Sequence, residues 1–310
     1  MAPLTHGIHH ITAMASDARR NLAFYTQILG LRLVKQTVNF DDPGTYHLYY
    51  ANYEGAPGTV LTFFPWPGLR RGRPGTGQVY ATAFSIPAGS LPYWQERLRS
   101  HQLALAAPVQ RIGGNVIGFA DPDGLILELI ETAGDPRPPT PHPDIPAAHA
   151  IRGFHSATLA LSQPDETAAL LTGLMGYRES RREANRVRYA AGDGQPGTFV
   201  DVLVDPSLPR GLNGAGTVHH IAYRTPDDAT ELRAKALLER NGFQVSPVMD
   251  RNYFHSIYYR EPEGILFEIA TDPPGFTVDE SLEQLGSGLR LPAKYEARRA
   301  DIEAALPPLA

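Results

Sequence analysis

Four segments of this chain open alike: Ile8-His9-His10-Ile11-Thr12, Val79-Tyr80-Ala81-Thr82-Ala83, Phe154-His155-Ser156-Ala157-Thr158 and Val218-His219-His220-Ile221-Ala222. Self-similarity at a fixed interval constrains a fold more than any local signal, because each copy must be the same supersecondary unit. Each opening segment reads as a short strand, followed by a polar cap and an amphipathic helix. In the first copy Asp17 is a natural N-cap. Leu22, Tyr25 and Ile28 or Leu29 then recur at helical spacing, and Gly30 supplies a stop. In the fourth, Asp227 or Asp228 opens the helix and Asn241-Gly242 closes it. The second helix is expected from Ser90 to His101 and the third from Asp165 to Leu174. Runs 33–40, 47–53, 186–190 and 254–259 then alternate or are rich in aromatics, as strands are. The last strand of each copy follows a glycine: Gly58, Gly124, Gly197 and Gly264. The module is therefore βαβββ, four times over, and the fold class is α+β.

The stretch Asp135-Pro136-Arg137-Pro138-Pro139-Thr140-Pro141-His142-Pro143 can continue neither a helix nor a central strand. It divides the chain into an N-terminal domain of two modules (1–134), a linker (135–150), a C-terminal domain of two modules (151–272) and a tail (273–310). Helix is expected near 293–305 in the tail, which would pack on the body or on a partner subunit.

Overlaying the copies brings out the chemistry. The third position of the opening strand holds His10, Ala81, Ser156 and His220. The fifth position of the last strand, counting its glycine as one, holds Thr62, Glu128, Asp201 and Glu268. Only copies one and four carry the histidine, and copy four adds the carboxylate. Glu128 beside Ala81 and Asp201 beside Ser156 read as structural. Composition narrows the donors further. With no cysteine in the 310 residues, thiolate sites, disulfides and thiol nucleophiles are excluded. Two imidazoles and one carboxylate leave open positions on a metal, the arrangement that suits Fe(II) binding both an organic substrate and O2, with Mn(II) or another divalent metal as alternatives.

Charge excludes other classes. Lys plus Arg number 28 against 33 Asp plus Glu, a net charge of −5, with no basic block. Nucleic acid and anionic membrane are not expected partners. Residues 1–10 show no basic region followed by a long apolar run, so the expected location is cytoplasmic. A homo-oligomer is compatible with open sheet edges.

Four βαβββ units in pairs resemble the vicinal-oxygen-chelate superfamily, which includes glyoxalase I, extradiol dioxygenases and bleomycin-resistance proteins. In that superfamily paired modules curl into a cup around the metal. The resemblance implies that modules one and four face each other. The segments Gly7-Ile8-His9-His10-Ile11-Thr12, Val218-His219-His220-Ile221-Ala222-Tyr223 and Gly264-Ile265-Leu266-Phe267-Glu268-Ile269-Ala270-Thr271-Asp272-Pro273-Pro274-Gly275-Phe276 are similar to the hydroquinone 1,2-dioxygenases, which cleave chlorohydroquinone and methylhydroquinone rings. By that resemblance His10, His220 and Glu268 are the iron ligands, and His9, Thr12, His219, Arg251 and Tyr258 stand around them as catalytic candidates. The implied function is O2-dependent ring cleavage of an aromatic diol.

Physical roles for these residues can be stated. His219 or Tyr258 could move a phenol proton, and Arg251 could stabilise a negative oxygen. Thr12 shares a strand face with His10. Strict alternation would turn His9 and His219 to the opposite face from their neighbours, and would put His255 away from Tyr258. Tyr258 should lie across a hairpin from Glu268. Two rivals differ in chemistry. A glyoxalase-like isomerase or lyase commonly uses two carboxylates, and Thr62 stands where the second would be. A metal-free resistance protein would have no use for the triad.

Overall fold

The computed structural model describes residues 3–112 and 114–309. The βαβββ unit recurs four times. Module one comprises β1 (Ile8–Ala15), α1 (Ala18–Ala23), β2 (Arg32–Asn39), β3 (Asp42–Ala51) and β4 (Val60–Pro65). Module two comprises β5 (Gln78–Pro87), α2 (Leu91–Ser100), β6 (Val109–Arg111), β7 (Gly114–Ala120) and β8 (Ile126–Thr132). In module three follow β9 (Gly153–Ala160), α3 (Asp165–Gly173), β10 (Arg178–Glu183), β11 (Arg186–Ala190) and β12 (Phe199–Leu203). Module four is β13 (Thr217–Thr225), α4 (Asp228–Arg240), β14 (Met249–Asp250), β15 (Phe254–Arg260) and β16 (Leu266–Pro274).

The sixteen strands form two eight-stranded sheets, ordered β14-β15-β16-β13-β1-β4-β3-β2 and β10-β11-β12-β9-β5-β8-β7-β6. Modules one and four thus share the first sheet, joined by the antiparallel pair β1–β13, and modules two and three share the second through β5–β9. Each sheet takes one module from either side of the proline-rich stretch, which contains neither helix nor strand.

Local chemistry explains the elements. The Asp17 carboxylate accepts from Arg20 N and opens α1, and Asp227 does the same for α4 through Thr230 N. After Ala23 the first helix widens into a single π turn, Phe24–Ile28, and stops at Gly30, whose φ of +71° favours glycine. Phe24, Tyr25 and Leu29 are buried there. The sheets meet at crossed backbone contacts: Ile8 N donates to Gly197 O and Phe154 N to Gly58 O. A Cβ on Gly7 would lie 2.8 Å from Gly197 O, so only glycine permits that approach.

The tail straps onto the outer strands of the first sheet. Lys35 on β2 is fully buried, and its ammonium is bound by Asp279 and Glu280. Asp279 also accepts from the Tyr253 hydroxyl at 3.0 Å. The segment expected as one helix is a 3-10 helix, Ala293–Arg298, running into α5 (Arg299–Ala305). Among the described residues no helix is long and apolar enough to cross a membrane.

Candidate metal centre

The β1–β13 seam places the histidines. His10 Nε2 lies 3.3 Å from His220 Nε2, and Glu268 Oε2 lies 3.3 Å from the first and 2.9 Å from the second. The three ligand atoms lie within 4.8 Å of one another, and all three residues are buried. Neither Glu268 oxygen has an aligned hydrogen-bond donor despite those short separations. A buried carboxylate without a donor is costly. Two imidazole lone pairs and a carboxylate aimed at one point remove that cost if a cation sits between them. The residues fit a divalent metal of borderline character. Burial alone would raise the Glu268 carboxyl, but His10 and His220 beside it hold it well below the usual range.

His9 and His219 do not follow strict alternation. Pairing slips by one residue between Ile8 and His10 on one strand, and between His220 and Val218 on the other. Each slip is a β-bulge, and the extra residues are His9 and His219. The bulges turn both rings beside their neighbours instead of behind the sheet. His9 Nδ1 is 2.9 Å from His10 Nδ1, and His219 Nδ1 is 2.8 Å from His220 Nδ1. With a metal on both Nε2 lone pairs, His10 and His220 would carry their protons on Nδ1 and donate to His9 and His219, which would leave an Nε2–H on each outer ring. His9 is buried, with a hydrogen bond to the Thr271 backbone. His219 instead lines the open cavity. Burial, with His220 next to it, pushes His219 down to about 3, so it is neutral at neutral pH.

The cavity holds about 350 Å³ and is walled by Tyr49, Phe64, Trp66, Phe254 and Tyr258, with His10 and His220 at its base. Tyr258 is in register with Glu268 across the β15–β16 hairpin, where the sequence placed it. Its hydroxyl accepts from Arg251 Nε at 3.2 Å. Burial, then Glu268, raises the Tyr258 phenol, while Arg251 opposes the rise. Arg251 reaches Asp41 at 3.4 Å at the rim. Thr12 Oγ1 is 2.8 Å from Thr62 Oγ1. His255 binds Asp228 at 2.8 Å, away from the cavity, as alternation requires.

Among the cavity residues that the sequence did not single out are His47 and Tyr49. The His47 Nε2 is 2.8 Å from Thr62 Oγ1 and its Nδ1 is 2.8 Å from the Tyr49 hydroxyl. Thr12, Thr62, His47 and Tyr49 thus form one hydrogen-bonded row on the module-one wall. Tyr49 pairs with Thr62 as Tyr258 pairs with Glu268, so overlaying the third strands of the modules would have found it.

The model for the glyoxalase/bleomycin resistance protein/dioxygenase superfamily matches residues 7–129 and 138–269. The chain belongs to that superfamily. Relatives of similar length share its whole extent. It is 47% identical over 308 residues to a Bacillus subtilis (strain 168) protein that carries the provisional name ring-cleaving dioxygenase MhqO, covering 99% of this chain and 98% of that one. It is 35% identical over 306 residues to the chlorohydroquinone/hydroquinone 1,2-dioxygenase of Sphingobium indicum, covering 96% and 94%. A crystal structure of a provisionally named dioxygenase from Bacillus subtilis, also 47% identical, superposes with a TM-score of 0.95 over 99% of this chain and 98% of that one. Glyoxalase I from Zea mays, at 14% identity, shares the fold with a TM-score of 0.66, covering 86% and 93%. Within the superfamily, four modules in two curled sheets are therefore the architecture, with the His-His-Glu cluster in one of them.

Proposed function

We propose that this chain is a ring-cleaving dioxygenase of hydroquinone-like aromatic diols, dependent on Fe(II) held by His10, His220 and Glu268. The observation that carries the reading is the cluster itself: three buried donors aimed at one point at the base of an aromatic-walled cavity. The relatives named for ring cleavage support the reaction class. Thr62 supports it against an isomerase: its hydroxyl is committed to Thr12 and His47, and it offers no second carboxylate.

When bound, Fe(II) would supply a template for diol and O2 and a path for electrons between them. In the overall reaction both oxygen atoms enter the product, one ring C–C bond beside a hydroxylated carbon breaks, and the diol supplies the electrons. The residues around the centre orient and neutralise. The aromatic walls hold the ring and exclude water. Arg251 and the Tyr258 hydroxyl face negative charge on a substrate oxygen through charge-assisted hydrogen bonds. His219 presents its Nε2–H to the cavity and fixes the His220 tautomer from its other nitrogen. His9 fixes the tautomer of His10 without reaching the cavity. The Thr12–Thr62–His47–Tyr49 row holds the opposite wall in place.

The test is anaerobic reconstitution with Fe(II), then O2 uptake and product absorbance on a panel of hydroquinones and catechols. Stoichiometric uptake with a ring-opened product is expected, with para-diols preferred. One tightly bound metal per chain with no uptake on any diol would overturn the reading.

A further inference from the structure

Two turns stand at the mouth of the metal cavity, and the tail binds both. The first joins β14 to β15 and carries Arg251, which lines the cavity. There Tyr253 N donates to Arg251 O at 2.8 Å, and Arg251 N donates to Phe254 O at 3.0 Å. Asn252 between them has a φ of +65°, a region that residues other than glycine seldom occupy. Such a conformation costs energy and persists only where the surroundings impose it. Here the surroundings are the start of the tail and Lys35, closing on Tyr253, which is 1% exposed. Its carbonyl accepts from Gly275 N at 2.9 Å, and its hydroxyl donates to Asp279 at 3.0 Å. Its ring lies 5.1 Å from that of Phe276, centroid to centroid, with the Lys35 ammonium 4.7 Å from its own centroid.

The second turn joins β2 to β3, and its Phe40 and Asp41 also line the cavity. Phe40 O accepts from Lys294 Nζ at 3.0 Å and from the Tyr295 hydroxyl at 2.8 Å, which ties this turn to the 3-10 helix of the tail. Across the mouth Arg251 meets Asp41 at 3.4 Å, with the Asp41 side chain 68% exposed. An ion pair so exposed contributes at most about 1 kcal/mol, too little to fix two turns against each other. The bonds to the tail have to supply the rigidity. In the cup of the second sheet nothing comparable is needed. Arg188, at the place of Tyr258, is buried and bound to Asp201 in the adjoining strand by two hydrogen bonds, at 2.7 and 2.8 Å. Arg111 likewise meets Glu128 at 2.7 Å.

We infer that the tail is a positioning element for Arg251. Tyr253 and Asp279 hold the turn that carries it, and Lys294 and Tyr295 hold the turn that carries its partner Asp41. Together they set the guanidinium against the Tyr258 hydroxyl, where Nε lies at 3.2 Å. A displacement of about an ångström would break that hydrogen bond. The inference rests on the role proposed for Arg251 in the reaction.

Mutant cycles on the full iron-loaded chain decide it, read as kcat and KM for hydroquinone by O2 uptake. K294A/Y295F and Tyr253→Phe should each lower kcat about tenfold, within the range for a group misplaced by an ångström. KM should move less than about twofold. In an Arg251→Met background the same substitutions should lower kcat by less than about twofold, because residues that act through one group are not additive. A merely structural tail would lower kcat equally in both backgrounds, and that result overturns the inference. So does an unchanged kcat in both tail variants. Deuterium exchange read by mass spectrometry gives a second readout that needs no turnover. Amides of 250–254 should exchange faster in Tyr253→Phe, and those of 39–42 in K294A/Y295F. Unchanged exchange in both overturns the inference. No O2 uptake by wild type would instead sink the proposed reaction, and exchange alone would then decide whether the tail holds Arg251. If Tyr253→Phe does not fold, K294A/Y295F decides, since Lys294 is exposed and Tyr295 half-buried.

Discussion

The two cups share strand order, bulges and register, yet one converges on a metal and the other on ion pairs. His10 and His220 become Ala81 and Ser156, and Thr62 and Glu268 become Glu128 and Asp201. Tyr258 becomes Arg188 and Tyr49 becomes Gly118, by their pairing with those strands. Even the bulged histidine persists. His155 sets its Nδ1 3.1 Å from the Ser156 hydroxyl, as His219 does against His220. The scaffold therefore aims side chains at the centre of either cup, and the residues at those positions decide what the centre holds. Carboxylates without donors call for a cation. In the first cup it must come from outside, and in the second arginine provides it.

The largest effect should come from swapping one carboxylate in each cup. Glu268→Gln should leave less than a tenth of the wild-type iron, measured by atomic emission, with O2 uptake at background. Glu128→Gln should leave both unchanged. Iron loss in both variants would break the division between the cups.

The next effect is on stability. Asp201→Asn leaves Arg188 buried without its partner and should cost about 3–5 kcal/mol in denaturant unfolding. Activity per folded, iron-loaded chain should not move. The double variant R188M/D201L should recover most of the loss, because it removes both charges together.

The third concerns Tyr258, the counterpart of Arg188. Tyr258→Phe should lower kcat about 100-fold, the scale of losing one aligned donor near developing charge, with iron content retained. Loss of iron instead would make Tyr258 a structural neighbour of Glu268 and not a participant in turnover.

Much of this was legible in the chain. Equivalent positions of a repeat share an environment, so His10, His220 and Glu268 could be found by overlaying copies. Their pairing across β1–β13 needed the superfamily resemblance, since modules one and four are the farthest apart in sequence. Two kinds of information were not legible. The bulges at His9 and His219 are backbone irregularities that alternation cannot foresee, and they reversed the face expected for both rings. The burial of Lys35 depends on tail residues about 240 positions away, which no local pattern relates to β2. His47 and Tyr49 fall between these cases. They lie within an expected strand, but on the third strand of module one, whose side chains reach the centre only through pairing with the last strand.

The smallest effect separates the bulged histidine of the second cup from bulk titration. Burial, with Arg188 and Arg137 nearby, pushes His155 down to about 3 from an ordinary 6.5. Below 6.5 the unfolded chain takes up a proton at this position that the folded chain refuses. Stability from this residue is thus complete above about pH 6.5 and falls as pH drops toward 3. Between pH 7 and 5 the contribution is on the order of 2 kcal/mol. His155→Gln removes the titrating group and should flatten the pH dependence of unfolding over that interval by this amount. An unchanged slope in His155→Gln would show that His155 is protonated in the folded chain. The second cup would then carry a further positive charge, and the balance between its arginines and carboxylates would have to be redrawn around an imidazolium.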